Sequence, residues 1–131
     1  MDTSVVVAAF ATWHALHEVA RRCLDRGARL PAQASLEAYS VLTRIPPPFR
    51  ALPGDFVEFL DSWFERPYLS LDSRRFSTFV HGLPARGIVG GATYDALIAA
   101  VAAAHGGRLA TCDLRAASTY ERFDVAVEYL G

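Results

Sequence analysis

The order of apolar and polar residues divides the chain into helix-like and strand-like stretches that alternate. From Trp13 to Arg26, apolar Trp13, Leu16, Ala20, Cys23 and Leu24 recur at helical spacing while Glu18, Arg21, Arg22, Asp25 and Arg26 fall on the other side. That pattern predicts a surface helix stopped by Gly27. A second helix is expected from Ala32 to Arg44 and ends at Pro46-Pro47-Pro48, because proline lacks the amide hydrogen that a helix interior needs. Between Gly54 and Phe64, the side chains of Phe56, Val57, Phe59, Leu60, Trp63 and Phe64 share one broad helical face, a core or partner surface. Asp72 is placed to cap a helix running to about His81. Thr93 to Ala104 carries a stripe of Tyr94, Leu97, Ile98 and Val101, and Gly106-Gly107 stops it.

Shorter apolar stretches fill the gaps. Ala28 to Pro31, Tyr68 to Leu71, the segment ending at Asp113, and Val125 to Tyr129 read as strands, the last at an edge, and Leu114 to Arg122 reads as helical. The opening VVVAAF run has two readings. Its β-branched residues favour a strand, whereas a Ser or Thr cap at its start favours a short helix. Strands alternating with helices imply an α/β/α sandwich around a central, mainly parallel sheet of about four to five strands.

Composition narrows the function classes. At 131 residues and 52% hydrophobic, the chain is long enough for one core and too short for two, so residues 1–131 are expected to form a single domain. The net charge of −1 gives no overall basicity. All 13 basic residues are Arg, which excludes P-loop and Schiff-base mechanisms that require Lys. Cys23 and Cys112 form no metal or redox motif and suit packing in a reducing compartment. The apolar start lacks a basic leader, and the apolar helix from Thr93 carries Asp95, so neither is expected to meet a membrane; a soluble, cytoplasmic protein is expected.

Three carboxylates stand apart because each is the only charge in a long apolar neighbourhood, and a fourth, Asp113, has an apolar run before it and Leu114 after it. Asp2 is the only charge before His17, Glu37 the only one from Leu30 to Thr43, and Asp95 the only one from Gly87 to Gly107. Asp113 follows the run Leu109-Ala110-Thr111-Cys112. An ionised carboxylate near a core is costly unless a cation or several hydrogen bonds compensate it. Asp95 falls in a first helical turn, where the dipole favours negative charge, and Asp113 closes a strand, where open α/β sheets place ligands. Such a set could converge on a metal ion. By contrast, His14, His17 and Glu18 match neither HExxH nor HxxEH, and helix-surface histidines are the default reading.

The stretches DTSVVVA, LEAYSVLTR, GGATYDALIAA and HGGRLATCDLRAASTYER, in that order, resemble the PIN-domain nucleases, most closely the VapC-type toxins of bacterial toxin–antitoxin pairs. The resemblance covers nearly the whole chain and places the family's acids on Asp2, Glu37, Asp95 and Asp113. It implies an endoribonuclease dependent on Mg²⁺ or Mn²⁺, with Asp2, Asp95 and Asp113 as metal ligands and Glu37 orienting the attacking water or a second metal. Carboxylates without His or Cys suit these hard cations better than Zn²⁺. Thr3, Ser4 and Thr111 are expected to hydrogen-bond the carboxylates, and Arg44, Arg86 and Arg115, near the ends of the acid-bearing segments, to meet RNA phosphates.

The resemblance further implies a homodimer held inactive by a VapB-like antitoxin whose helix and tail cover an aromatic surface. Eight of the fifteen aromatic residues lie between Phe49 and Phe79, and core packing is the plainer account of them. A non-catalytic PIN-like module that binds RNA or a partner, and a DNA-directed nuclease of the same fold, are the alternatives. A haloacid-dehalogenase type of phosphotransferase would need an acid where Ser4 stands and a Lys. The chain departs from the family pattern at its start, where only Met1 precedes Asp2 although the family's first Asp usually ends a central strand. By that comparison VVVAAF is the following helix, and either the native chain begins upstream or its first strand is truncated. Apolar residues added before Met1 are expected to raise stability, and thermal melting of the extended chain checks this: a melting temperature no higher than that of residues 1–131 counts against it.

Overall fold

The computed structural model describes residues 1 to 131. It resolves the ambiguity of VVVAAF as helix: Thr3–Phe10 is α1. The cap is Asp2, whose extended backbone precedes the helix and whose side chain accepts a hydrogen bond from the Val5 amide. A cap of this type stabilises a helix by about 1 kcal/mol. Val5, Val6, Ala8 and Ala9 are buried, so packing overrides the strand preference of valine. At the other end of α1, Arg21 Nε donates to the Ala9 carbonyl at 2.6 Å and His17 Nδ1 hydrogen-bonds the Ala8 carbonyl at 2.9 Å. Both come from α2, His17–Asp25, so the negative end of α1 is met by side chains of its neighbour.

The helix α2 starts later than its apolar pattern suggests, because Trp13 stays on the surface and packs on Phe49 with ring centroids 5.0 Å apart. The helix α3 spans Ala32–Arg44, as the pattern predicts. The helix α4, Pro53–Trp63, begins with proline in its first turn, where a missing amide hydrogen costs nothing. Phe56, Phe59 and Leu60 of α4 are buried and Val57 is exposed, so most of that aromatic face is core. Phe10 meets Phe56 and Phe59 edge-on at 5.3 and 5.4 Å, which joins α1 to α4. The helix α5, Ser73–Gly82, is capped by Asp72, which accepts from the Arg75 amide at 2.8 Å, yet none of its residues is buried. Phe76 and Val80 face outward from it.

A 3-10 turn at Pro84–Arg86 leads into α6, Ala92–Ala104, which buries Ala96, Ile98, Ala99, Val101 and Ala102 and turns Tyr94 to the surface. Its end uses two glycines with positive φ, Gly106 at 115° and Gly107 at 72°, and the Gly107 amide returns to the Ala102 carbonyl at 2.8 Å. Side chains with a Cβ rarely adopt that backbone shape. The strand β1, Arg108–Thr111, follows, then the single helical turn α7, Ala117–Tyr120, and β2, Ala126–Tyr129.

The parallel ladder is shorter than the pattern predicts. β1 and β2 pair in parallel with Leu109 opposite Val127, while the expected strands at Ala28–Pro31 and Tyr68–Leu71 meet at one parallel bridge, Pro31 to Leu69. Met1 and Asp2 lie between these two halves: the Met1 ammonium donates to the Arg29 carbonyl at 3.3 Å and the Asp2 amide to the Ala110 carbonyl at 3.0 Å. Two residues cannot propagate a ladder, so single bonds hold the middle of the sheet. The helices α2 and α3 pack against α1. No helix is long and apolar enough to cross a membrane. Phe56 is fully buried at the α1–α4 contact, so Phe56→Ala is expected to destabilise the protein by about 3–5 kcal/mol, measured by chemical denaturation.

Candidate active site

The four acids arrive from four different segments. Asp2 precedes α1, Glu37 lies within α3, Asp95 sits in the first turn of α6, and Asp113 follows β1. Asp2 is only 2% exposed, and both of its carboxylate oxygens are bonded. Oδ1 accepts from the Ser4 hydroxyl at 2.5 Å and the Val5 amide at 3.3 Å, and Oδ2 accepts from the Tyr120 hydroxyl at 2.7 Å. Ser4 Oγ in turn accepts from the Cys112 amide at 2.8 Å, which ties the start of α1 to the end of β1.

Of the three hydroxyls expected to bond the carboxylates, Ser4 and Thr3 do so, whereas Thr111 bonds the backbone of Asp113 and not its carboxylate. Thr3 donates to Glu37 Oε1 at 3.4 Å, and the buried Thr111 hydroxyl accepts from the Asp113 amide at 2.9 Å while lying 3.4 Å from Ser4 Oγ. Tyr120 escapes sequence reasoning. Its only local signal is a phenol in a segment whose neighbours pack inward, and a buried phenol needs an acceptor.

Electrostatics link the acids. The Asp95 carboxyl is pushed up to about 6, first by burial and then by the negative charges of Glu37, Asp2 and Asp113. Burial also raises Glu37, against the opposing hydrogen bonds of Gln33 and Thr3 and with a smaller push from Asp2. Burial and Asp2 together raise the Tyr120 phenol, which stays a donor. The chemistry of the donor set, four carboxylates and no nitrogen or sulfur, fits a hard divalent cation. No three Asp, Glu, His or Cys side chains, however, stand close enough together to hold an ion as they lie.

The arginines divide. Arg115 is bound to the site: its amide and Nε reach Asp113 Oδ1 at 2.9 and 3.4 Å. Arg86 lies over the Phe123 ring at 4.3 Å and donates to the Arg122 carbonyl at 2.5 Å, while Arg122 donates back to the Arg86 and Gly87 carbonyls. That reciprocal clamp fixes two guanidinium groups between the turn before α6 and the turn after α7. Arg44 is exposed in the last turn of α3. The histidines of the H-x-x-H-E stretch engage the backbone: His14 Nδ1 accepts from the Leu16 amide, and His17 is held at the end of α1. A cleft of about 560 Å³ beside Met1, between Ala28–Pro31 and β1, contains none of the four acids.

An α/β chain with a parallel strand pair, a helix capped by an aspartate at its start and four acids brought in from four segments has the build of a PIN domain, and the chain belongs to that family, matching its model over residues 1–122. It is similar to the ribonuclease VapC40 of two Mycobacterium tuberculosis strains, CDC 1551 / Oshkosh and ATCC 25618 / H37Rv. The identity is 50%, over 97% of this chain and 95% of that protein. It is also 41% identical to the ribonuclease VapC27 of the second strain, over 97% of this chain and 93% of that one. No solved structure matches it significantly.

The raised Asp95 carboxyl makes a stability prediction whose sign follows from proton uptake. Because its value in the folded chain lies above the ordinary 3.8, the folded protein binds the proton more tightly than the unfolded one. This group's contribution is therefore favourable at low pH and is lost as the pH rises from about 4 through about 6. Without divalent ions, Asp95→Asn is expected to melt higher than wild type at neutral pH and to lose that part of the pH dependence. Thermal melts in a chelating buffer across the range check it.

Proposed function

We propose that this VapC-type PIN domain, residues 1–131, is an endoribonuclease that depends on Mg²⁺ or Mn²⁺ and serves as the toxin of a toxin–antitoxin pair. The observation that carries the reading is the likeness to the ribonuclease VapC40 over 97% of this chain, together with four acids contributed by four segments, of which Asp95 is raised first by burial and then by the charges of the other three. Asp2, Asp95 and Asp113 would hold the cation. When bound, the ion lowers the pKa of water to make a nucleophile and neutralises charge developing on phosphate oxygens.

The chain's own side chains do the remaining work. Tyr120 and Ser4 hold Asp2 in place. Glu37, half-buried and raised, orients the attacking water and takes its proton, a role suited to a carboxyl whose affinity for protons is enhanced. Arg44, Arg86 and Arg115 supply positive charge to RNA phosphates, which a chain of net charge −1 must provide locally. No protein nucleophile is needed.

Exposed apolar residues offer the surface for a partner. Leu36 and Tyr39 of α3 with Phe76 and Val80 of α5 form apolar faces that suit a VapB-like antitoxin helix or a second copy of the chain, in the cytoplasm where RNA is available. The open spacing of the acids favours one second reading, a non-catalytic module that retains the fold and binds RNA or a partner.

Incubating total cellular RNA with the purified protein separates the two. Discrete fragments are expected with Mg²⁺ or Mn²⁺, and none with chelator or with Asp95→Asn, whose loss of a metal ligand should lower the rate at least a hundredfold, on the order of removing several kcal/mol of electrostatic stabilisation. Equal behaviour of folded wild type and folded Asp95→Asn would leave the binding module as the function.

A further inference from the structure

Tyr120 ends α7, a helical turn of four residues, and its side chain is fully buried. The ring alone would fill that space: a phenylalanine has the same ring, and packing asks for no hydroxyl. The hydroxyl group adds a cost on burial unless it finds an acceptor, and the one it finds is Asp2 Oδ2, 2.7 Å away and 118 positions earlier in the chain. The opposite oxygen of the same carboxylate is held by Ser4 and by the Val5 amide. Asp2 is thus gripped at both oxygens by two independent segments, the start of α1 and the end of α7, and its carboxylate cannot rotate without breaking one set of bonds.

We propose that Tyr120 is a positioning residue: its hydroxyl fixes the orientation in which the Asp2 carboxylate meets a divalent cation. The inference rests on Asp2 being a metal ligand, and its test separates the two claims. Hydrogen bonds that orient a ligating side chain typically contribute about 10–100-fold to metal affinity. Geometry of this kind is preorganisation: the ligand arrives already aimed, and the ion does not have to order it.

The test uses Mn²⁺ alone as the probe, with binding followed by electron paramagnetic resonance on the full chain, for wild type, Tyr120→Phe and Asp2→Asn. Tyr120→Phe is expected to weaken Mn²⁺ binding about tenfold or more. At low Mn²⁺ it is expected to lower kcat on RNA without changing KM for RNA, with kcat recovering as Mn²⁺ is raised. A purely structural role would lower the melting temperature and leave Mn²⁺ affinity per folded molecule unchanged. That result, with Asp2→Asn binding weakly, would overturn the positioning role and leave Asp2 a ligand. Wild-type Mn²⁺ affinity in Asp2→Asn would overturn both.

A second measurement keeps the proposal testable should Tyr120→Phe fold poorly. In wild type, a phenol bonded to a carboxylate that takes up a cation changes its ultraviolet absorption. A tyrosine difference band saturating with the same Mn²⁺ dependence as the resonance signal is expected, and its absence would overturn the proposal.

Discussion

The buried carboxylate of Asp2 is the constraint on which the rest of this protein depends. It starts α1 by accepting the Val5 amide, takes the hydroxyls of Ser4 and Tyr120, and its backbone amide bonds β1 at Ala110. A charge this deeply enclosed is tolerated because each of its oxygens is bonded, and removing the Tyr120 hydroxyl would leave Oδ2 a costly unpaired acceptor. Three structural units, α1, α7 and β1, therefore converge on one residue, and its side chain belongs to the set of acids on which the proposed chemistry rests. Folding and chemistry share an anchor, so a change there disturbs both.

How much of this could be read from the chain depends on how local each cause is. The extent of α3, the Asp72 cap of α5 and the glycine stop of α6 are local matters of periodicity, capping and positive φ, and they appear in the structure as the pattern predicts. The VVVAAF run is ambiguous because valine packs well in either a strand or a buried helix, and only the capping bond of Asp2 and the burial of α1 decide it. The strand segments are visible as apolar runs, yet a strand needs partners: Ala28–Pro31 and Tyr68–Leu71 find one parallel bridge between them, Pro31 to Leu69.

The acids were legible for a physical reason. An isolated charge in an apolar stretch is unusual enough to demand compensation; Asp2, Glu37 and Asp95 meet that description, and Asp113 follows an apolar run. Tyr120 was not, because a hydrogen bond to a residue at the other end of the chain leaves no mark on its neighbours in sequence. Arg86 shows the same limit from the other side. Its charge suggests a phosphate contact, while the stacking on Phe123 and the mutual clamp with Arg122 arise from two segments, 86–87 and 122–123, meeting in space.

The positions of Asp2 and Asp95 at the starts of helices carry a consequence for traffic through the site. Each carboxylate stands at the positive pole of a stack of aligned peptide groups, α1 in one case and α6 in the other, worth roughly half an elementary charge at each helix start. Part of the acids' negative field is cancelled before any ion arrives. A polyanion can then approach against a lower barrier than four bare carboxylates would raise, and a cation is gripped less tightly than their number suggests. On the proposed reading, that balance would favour access by the nucleic acid over retention of the ion.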